Sequence, residues 1–383
     1  MAPPLQRGLA QIRERLAGFN RFNGDIDPAV LTSPVTDGKA ISSSRLETWA
    51  GCPRRFYFEQ VLGLGEIERP EEIKEISALD RGSLIHEILE DFIDSARPGG
   101  EHERTGPDHR WNDNDRERLL AIAQARYRRY EELGRTGRPI LWAIRREETN
   151  ADLETFLNSD SDLRAELRTT PREVELAFGL DRPPQSASDD AGEAAPRDRA
   201  EAAQVQLSDG RTIALRGLVD RVDWRGVDET PVVLDYKTGR KVAQSVFDTD
   251  PVSGGTKLQL GVYAEAVTAH YKSKSAQAYY WYSSSKGEFK TAGYPWTEDR
   301  RERFLDAIHT IIGGIESGDF PPNPGDYNSF RRNFENCSFC PFDRICPIDR
   351  DEELERAVKS GRLVEFVAMH SYDATDTESE ADT

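Results

Sequence analysis

The sequence predicts a mixed α/β fold in which helices flank a single β-sheet. Apolar residues recur at helical spacing through much of the first 170 residues, and they alternate as in strands after Pro171. Helical spacing then returns twice, on either side of one more aromatic, β-rich segment. Because helices and strands do not alternate regularly, this order indicates a mixed sheet and not a repeated βαβ fold.

The helices expected from this spacing lie at residues 5–17, 42–50, 79–95, 113–133, 150–167, 258–271 and 296–317. Three consecutive serines, Ser42 to Ser44, provide an N-terminal cap for the second of them. The third has a continuous apolar face formed by Leu84, Ile85, Ile88, Leu89 and Phe92. A further helix is expected after residue 350.

Strands are expected at residues 173–180, 203–207, 212–224, 231–236 and 276–282. Asp209-Gly210 and Gly226-Val227-Asp228 mark turns between neighbouring strands. The acidic segment 181–202 and the acidic tail within 351–383 contain few large apolar residues, so both are expected to be disordered.

The net charge of −18 is unusual for a protein that binds nucleic acid. Three basic clusters with aromatic residues nevertheless occur, at 54–57, 126–130 and 331–334, although each could also be an ordinary solvated surface. No stretch is long and apolar enough for a membrane span, and the N-terminus lacks the features of a signal peptide. We therefore expect a soluble cytoplasmic protein, and the charge does not exclude DNA.

Two acidic segments follow one another in the β-rich region. Asp220 lies in Gly217-Leu-Val-Asp-Arg-Val-Asp223, and Asp235 lies in Val232-Val-Leu-Asp-Tyr-Lys-Thr-Gly239. Adjacent strands joined by a short turn can place the two carboxylates side by side, where they would suffice to hold Mg²⁺ or Mn²⁺. Lys237 lies two residues after Asp235, hence on the same face of the strand. The alternative is that these are unrelated residues at strand ends.

These segments resemble the RecB/AddB-type branch of the PD-(D/E)XK nucleases. Arg81-Gly-Ser-Leu-Ile-His86 is similar to the first motif of that family, and Gln259-Leu-Gly-Val-Tyr263 to its Gln-x-x-x-Tyr motif. The resemblance implies a restriction-endonuclease-like fold. It also implies that His86, Asp220, Asp235 and the backbone carbonyl of Tyr236 ligate metal, and that Lys237 is the catalytic lysine.

The resemblance further implies that Gln259 and Tyr263, four residues apart on one helical face, contact DNA or brace the active site. Glu175 occupies the position at which that family has an acidic residue, ahead of the strands at 203–236. An ordinary glutamate on a strand surface is an equally good interpretation of Glu175. Arg221 and Asp223 are expected to form a supporting ion pair.

The four cysteines are divided into one and three: Cys52 stands alone, and Cys337, Cys340 and Cys346 are clustered. Four thiolates can hold zinc or an iron–sulfur cluster. Zinc ribbons usually supply their ligands as two local pairs, whereas three of these cysteines precede proline, as in ferredoxin-type runs. The arrangement resembles the [4Fe–4S] variant of AddB-type nucleases, so a structural iron–sulfur cluster is expected, with zinc as the alternative.

The predicted organisation is an N-terminal extension (1–40), a nuclease domain (41–350) with its catalytic core at 170–285, and a C-terminal helix and tail (351–383). The predicted function is Mg²⁺- or Mn²⁺-dependent hydrolysis of DNA, as an exonuclease on single strands or ends in repair or recombination. Because the chain contains no Gly-x-x-x-x-Gly-Lys-[Ser/Thr] loop, either a separate helicase partner or origin as a fragment of a larger protein is expected. The alternatives are a non-catalytic iron–sulfur DNA-binding subunit and a zinc-stabilised scaffold.

Overall fold

The computed structural model describes residues 3–65, 73–103, 106–180 and 199–373. Most of the acidic segment predicted at 181–202 lies outside these ranges, as does the tail after residue 373. Within them, no helix combines the length and the apolar character needed to cross a membrane.

Helices form most of the first half of the chain. They are α1 (Pro3–Leu16), α2 (Ser43–Gly51), α3 (Pro53–Phe56), α4 (Ala78–Ala96), α5 (Asp113–Glu132) and α6 (Pro139–Leu167). The second half contributes α7 (Gln244–Thr249), α8 (Gln259–Tyr271), α9 (Glu298–Glu316), α10 (Arg350–Lys359) and α11 (Val364–His370).

The strands are β1 (Ile41–Ser42), β2 (Thr169–Phe178), β3 (Arg199–Ala200), β4 (Ala203–Gln206), β5 (Thr212–Arg225), β6 (Thr230–Lys237), β7 (Gln277–Tyr282) and β8 (Thr291–Pro295). They form one sheet in the order β3-β2-β5-β6-β7-β8, with β1 and β4 also paired to β5. The β2–β5, β5–β6 and β7–β8 pairs are antiparallel, and β6–β7 is parallel. The predicted mixed α/β fold is therefore confirmed. A small separate hairpin follows, formed by β9 (Tyr327–Asn328) and β10 (Asn333–Phe334).

Each face of the sheet is covered by its own hydrophobic core. Val233 packs in the core that includes α2, α8 and α9, whereas Val232 and Leu234 pack in the core that includes α4, α5 and α6. This alternation follows from the two-residue period of a strand and explains why β6 is apolar at successive positions. Helices therefore lie on both faces, and α4 and α8 approach the sheet from opposite sides.

The predicted helices and strands are all present, with three notable differences. Helix α6 begins at Pro139, eleven positions before the predicted start, because the charged run at residues 145–148 separates the apolar residues around the buried Trp142 from the rest of the helical pattern. Strand β8 was missed, since Gly293 and the terminal Pro295 weaken the pattern of this short strand. The C-terminal helix expected after residue 350 is two short helices, α10 and α11.

Candidate active site

The two aspartates of the acidic segments lie opposite each other on neighbouring strands. Strands β5 and β6 pair with Arg221 opposite Leu234, so the same register places Asp220 opposite Asp235. The backbone N–H of Tyr236 donates to Asp220 Oδ2 over 2.7 Å. Both aspartates are buried. The short turn between the strands thus brings together the two carboxylates that the sequence analysis singled out.

Lys237 joins these carboxylates to helix α8. Its ammonium forms an ion pair with Asp235 and donates to Gln259 Oε1 over 3.0 Å. Gln259 Nε2 in turn donates to the Tyr263 hydroxyl over 2.8 Å. The Lys237 side chain keeps 34% of its surface exposed, while that of Asp235 keeps 2%. The lysine therefore connects a buried carboxylate to solvent.

Glu47 on α2, which no sequence pattern indicates, fixes the start of α8. Its carboxylate accepts the backbone N–H groups of Leu258 and Gln259 over 2.6 and 2.9 Å. A carboxylate at a helix N-terminus satisfies unpaired amides and interacts favourably with the helix dipole. Burial raises the pKa of Glu47, while these hydrogen bonds oppose that change. Glu47 therefore positions the residue that contacts Lys237.

His86 approaches the same carboxylates from α4. Its Nδ1 lies 3.3 Å from Asp220 Oδ1, and its ring meets the Tyr236 ring edge-on at a centroid distance of 5.9 Å. Burial alone would lower the pKa of His86, but the Asp220 carboxylate outweighs it and raises the pKa to about 9. The helical histidine of the first motif therefore stands beside Asp220.

Asp235 is the member of the pair that resists ionisation. Burial, followed by repulsion from Asp220, raises the pKa of Asp235 to about 6, although Lys237 opposes the shift. Two carboxylates held this close without enough positive charge cannot both ionise easily. The Asp220–Asp235 pair therefore has less neighbouring positive charge than it needs for both carboxylates to ionise.

Glu175 lies on β2 beside Asp220. The register of β2 against β5 places it opposite Asp220, and its backbone has a left-handed φ of 51°, just after a bulge in the strand. Such a conformation is rare for a residue with a side chain and occurs preferentially at functional sites. Burial and the charge of Asp220 raise the pKa of Glu175 well above its ordinary value. Glu175 therefore belongs to the group of carboxylates around Asp220 and does not lie on an open strand surface.

A buried ion network supports the strands beneath these residues. Arg221 Nε lies 2.5 Å from Asp223 Oδ1, and Arg221 Nη1 lies 2.7 Å from Asp160 Oδ1 on α6. Arg164, also on α6, pairs with the other oxygen of Asp160 over 2.8 Å. All four side chains are inaccessible to solvent. The expected Arg221–Asp223 ion pair is present, and the Arg221–Asp160 pair ties α6 to β5.

The donor set suits a hard divalent cation, because it combines carboxylate oxygens with an imidazole. Asp235 Oδ2 is buried and forms an ion pair with the Lys237 ammonium, so this oxygen already holds a positive group. Within the described ranges no three His, Cys, Asp or Glu side chains already have the arrangement of a formed metal site.

The four cysteines, separated in sequence, lie around one pocket. Cys52, Cys337, Cys340 and Cys346 line it together with Arg54 and Arg350, and none is in a disulfide. The backbone N–H of Asn323 donates to Cys52 Sγ over 3.3 Å. Burial raises the pKa of the Cys337 and Cys346 thiols, whereas Arg350 beside both lowers it. The pocket thus supplies positive charge that would balance thiolates.

Comparisons with known proteins identify the family to which the sequence is similar. The family model of the PD-(D/E)XK nuclease superfamily matches residues 40–347. The chain is 28% identical over 235 residues to a subunit of the ATP-dependent helicase/deoxyribonuclease of Clostridium perfringens, a match that covers 60% of this chain and 17% of that subunit. The corresponding polypeptide from Moorella thermoacetica is 28% identical over 255 residues, or 65% of this chain and 19% of that polypeptide.

A shorter relative is the Gene 69 protein of Mycobacterium phage L5. It is 32% identical over 139 residues, which are 36% of this chain and 40% of that protein. The chain therefore spans a fifth or less of these helicase/deoxyribonuclease subunits, and less than half of the phage protein.

Proposed function

This chain belongs to the PD-(D/E)XK nuclease superfamily, and from that premise we propose that it hydrolyses DNA phosphodiesters with Mg²⁺ or Mn²⁺. The observation that carries the proposal is the convergence of Asp220, Asp235 and Lys237 at one end of the β5–β6 pair. His86, the two aspartates and the Tyr236 carbonyl would hold the ion. When bound, the ion would supply an activated water and charge stabilisation for the leaving oxygen.

The side chains around the ion would orient the phosphate and stabilise its charge. Lys237 is held between Asp235 and Gln259, with part of its side chain open to solvent. A fixed ammonium there stabilises negative charge that develops on the phosphate without first having to reorganise. Gln259, anchored by Glu47 and Tyr263, keeps the ammonium in place.

Single-strand or end-directed exonuclease activity in repair or recombination, with a separate helicase, is part of the same proposal. Two of the relatives are named as helicase/deoxyribonuclease subunits, and the 383 residues contain no phosphate-binding loop of their own. Cleavage of 5′- and 3′-labelled strands, with and without a duplex region, would assign the polarity and the need for an end.

The test is the loss of cleavage in Asp220→Ala and Lys237→Ala, measured with Mn²⁺ and with EDTA. Removing one charge-stabilising group costs about 10²- to 10³-fold in rate, so at least that loss is expected for each variant. Asp228→Ala and Lys290→Ala are matched controls, since both residues are exposed and paired near neighbouring strands. Folded variants that retain cleavage would refute the site. DNA binding without cleavage by the wild type would favour the non-catalytic alternative.

We also propose that the four cysteines hold a [4Fe–4S] cluster with a structural role. Support comes from the shared pocket, the free thiols and the adjacent arginines. Anaerobic purification followed by iron, sulfide and zinc analysis tests this, with Cys52→Ser compared with Ser338→Ala. Colourless protein with one equivalent of zinc would contradict it. Loss of the cluster in Cys52→Ser should lower the unfolding temperature.

A further inference from the structure

Two phenylalanines near the cysteine pocket in the chain are almost fully exposed to solvent. Phe330, at the tip of the β9–β10 hairpin, is 96% exposed, and Phe339, between two of the cysteines, is 82% exposed. Single exposed apolar residues are common, but large aromatic rings are rarely left so open. Both rings present faces on which another planar group could stack.

Arginines accompany these rings. The guanidinium of Arg331 lies 5.2 Å from the centre of the Phe339 ring. Arg332 follows it in the chain and is exposed, and Arg344, between Cys340 and Cys346, is exposed as well. None of the three arginines forms an ion pair within the described ranges, although most of the protein's arginines are paired with acids. Positive charge without a partner is notable in a chain with a net charge of −18. We call Phe330, Arg331, Arg332, Phe339 and Arg344 the hairpin surface.

The hairpin tip has a defined backbone shape. Asn328 Oδ1 accepts the backbone N–H groups of Phe330 and Arg331 over 3.1 and 3.0 Å, and Arg332 has a left-handed φ of 51°. An asparagine that caps the following amides fixes a tight turn. The outward position of Phe330 is therefore set by the turn and not by a loose loop.

The hairpin is attached to the helix that reaches the active site. Asn336, just after β10, donates to the carbonyl of Gly51 over 3.3 Å, and Asn323 donates to the same carbonyl over 3.0 Å. Gly51 ends α2, and Glu47 on that helix binds the start of α8. Four helical residues span about 6 Å, so the base of the hairpin is a short distance from the candidate active site.

We propose that the hairpin surface binds single-stranded DNA near the active site. Bases would stack on Phe330 and Phe339, and the three arginines would contact phosphates, which is how single strands are bound without sequence preference. That the bound strand leads to a cleavage site rests on the proposed function. That the hairpin surface binds single-stranded DNA does not. A protein partner would also use aromatic residues, but the unpaired arginines complement a polyanion better.

The test measures binding of a labelled oligothymidylate in EDTA, where no cleavage occurs. Phe330→Ala/Phe339→Ala should weaken binding at least about tenfold, because stacking contributes about 1–3 kcal/mol per base. Arg331→Gln/Arg332→Gln should reduce the salt slope of binding by about 1.4, since each phosphate contact contributes about 0.7. Arg21→Gln/Phe22→Ala is the control, because Arg21 also lies over a ring, at 4.8 Å, but is paired with Glu14.

Binding within twofold of the wild type in both hairpin variants would overturn the proposal and leave the aromatic residues to a protein partner. Lack of binding by the wild type would overturn it as well. With Mn²⁺, the hairpin variants should lose cleavage of long strands but keep that of a dinucleotide too short to span both sites. Wild-type protein that binds strands and cleaves none would refute the proposed function alone.

Discussion

Replacing Asp235 with asparagine should stabilise the metal-free protein at neutral pH. Burial and repulsion from Asp220 raise the pKa of Asp235 from 3.8 to about 6. Because the pKa of Asp235 is higher in the folded than in the unfolded protein, the ionised carboxylate destabilises the fold. The free-energy cost grows as the pH rises from 3.8 through 6 and is complete by pH 7. The shift corresponds to about 3 kcal/mol. Asparagine has nearly the same shape and no charge, so it removes this cost.

The assay is urea unfolding in EDTA at pH 7 and pH 4, with all samples matched for their content of iron per protein. Asp235→Asn should gain up to about 3 kcal/mol at pH 7 and almost nothing at pH 4. Asp228→Asn is the control, because Arg225 lowers the pKa of that exposed carboxyl and its removal should not stabilise. Added Mn²⁺ should stabilise the wild type but not Asp235→Asn. No gain at pH 7, or an equal gain at both pH values, would refute the reasoning.

Three further outcomes are expected. If His86 ligates Mn²⁺ as proposed, the ion must displace its proton, which is held with a pKa of about 9; calorimetry should then show affinity rising about tenfold per pH unit below pH 9, and less steeply in His86→Ala. Arg221→Met should cost about 3–5 kcal/mol in denaturant unfolding, because it leaves the buried Asp223 without its ion-pair partner and Asp160 with Arg164 alone. Gly314→Ala should cost about 1–3 kcal/mol, since a Cβ there would lie 2.1 Å from the Trp49 ring, whereas Gly313→Ala meets nothing and should be neutral.

The proximity of the acidic residues was predictable because it depends on local geometry. Strands β5 and β6 are consecutive and joined by a short turn, so their register follows from the turn and the apolar pattern. The two-residue period of β6 places Asp235 and Lys237 on one face, and the spacing of Gln259 and Tyr263 places both on one turn of helix. The structure has all of these contacts.

The contribution of Glu47 could not be predicted in the same way. It binds backbone amides 211 and 212 positions away, and this contact exists only after α2 and α8 have packed together. The sequence contains no periodic signal for such a cap. The bulged, left-handed backbone at Glu175 was equally hidden, because a non-glycine residue gives no local sign that it will adopt a positive φ.

Helix α2 connects the cysteine pocket to the candidate active site. Glu47 near its middle holds the start of α8, and Cys52 directly follows its end. Strands β2 to β10 all lie between Cys52 and Cys337, so ligation of both thiols would close a loop that contains every strand of the sheet except β1, and would restrict the unfolded chain. A bound cluster would also fix the end of α2, and through Glu47 the position of Gln259 and Lys237. The cluster would then affect cleavage without touching DNA, because it would hold the helix that positions the lysine.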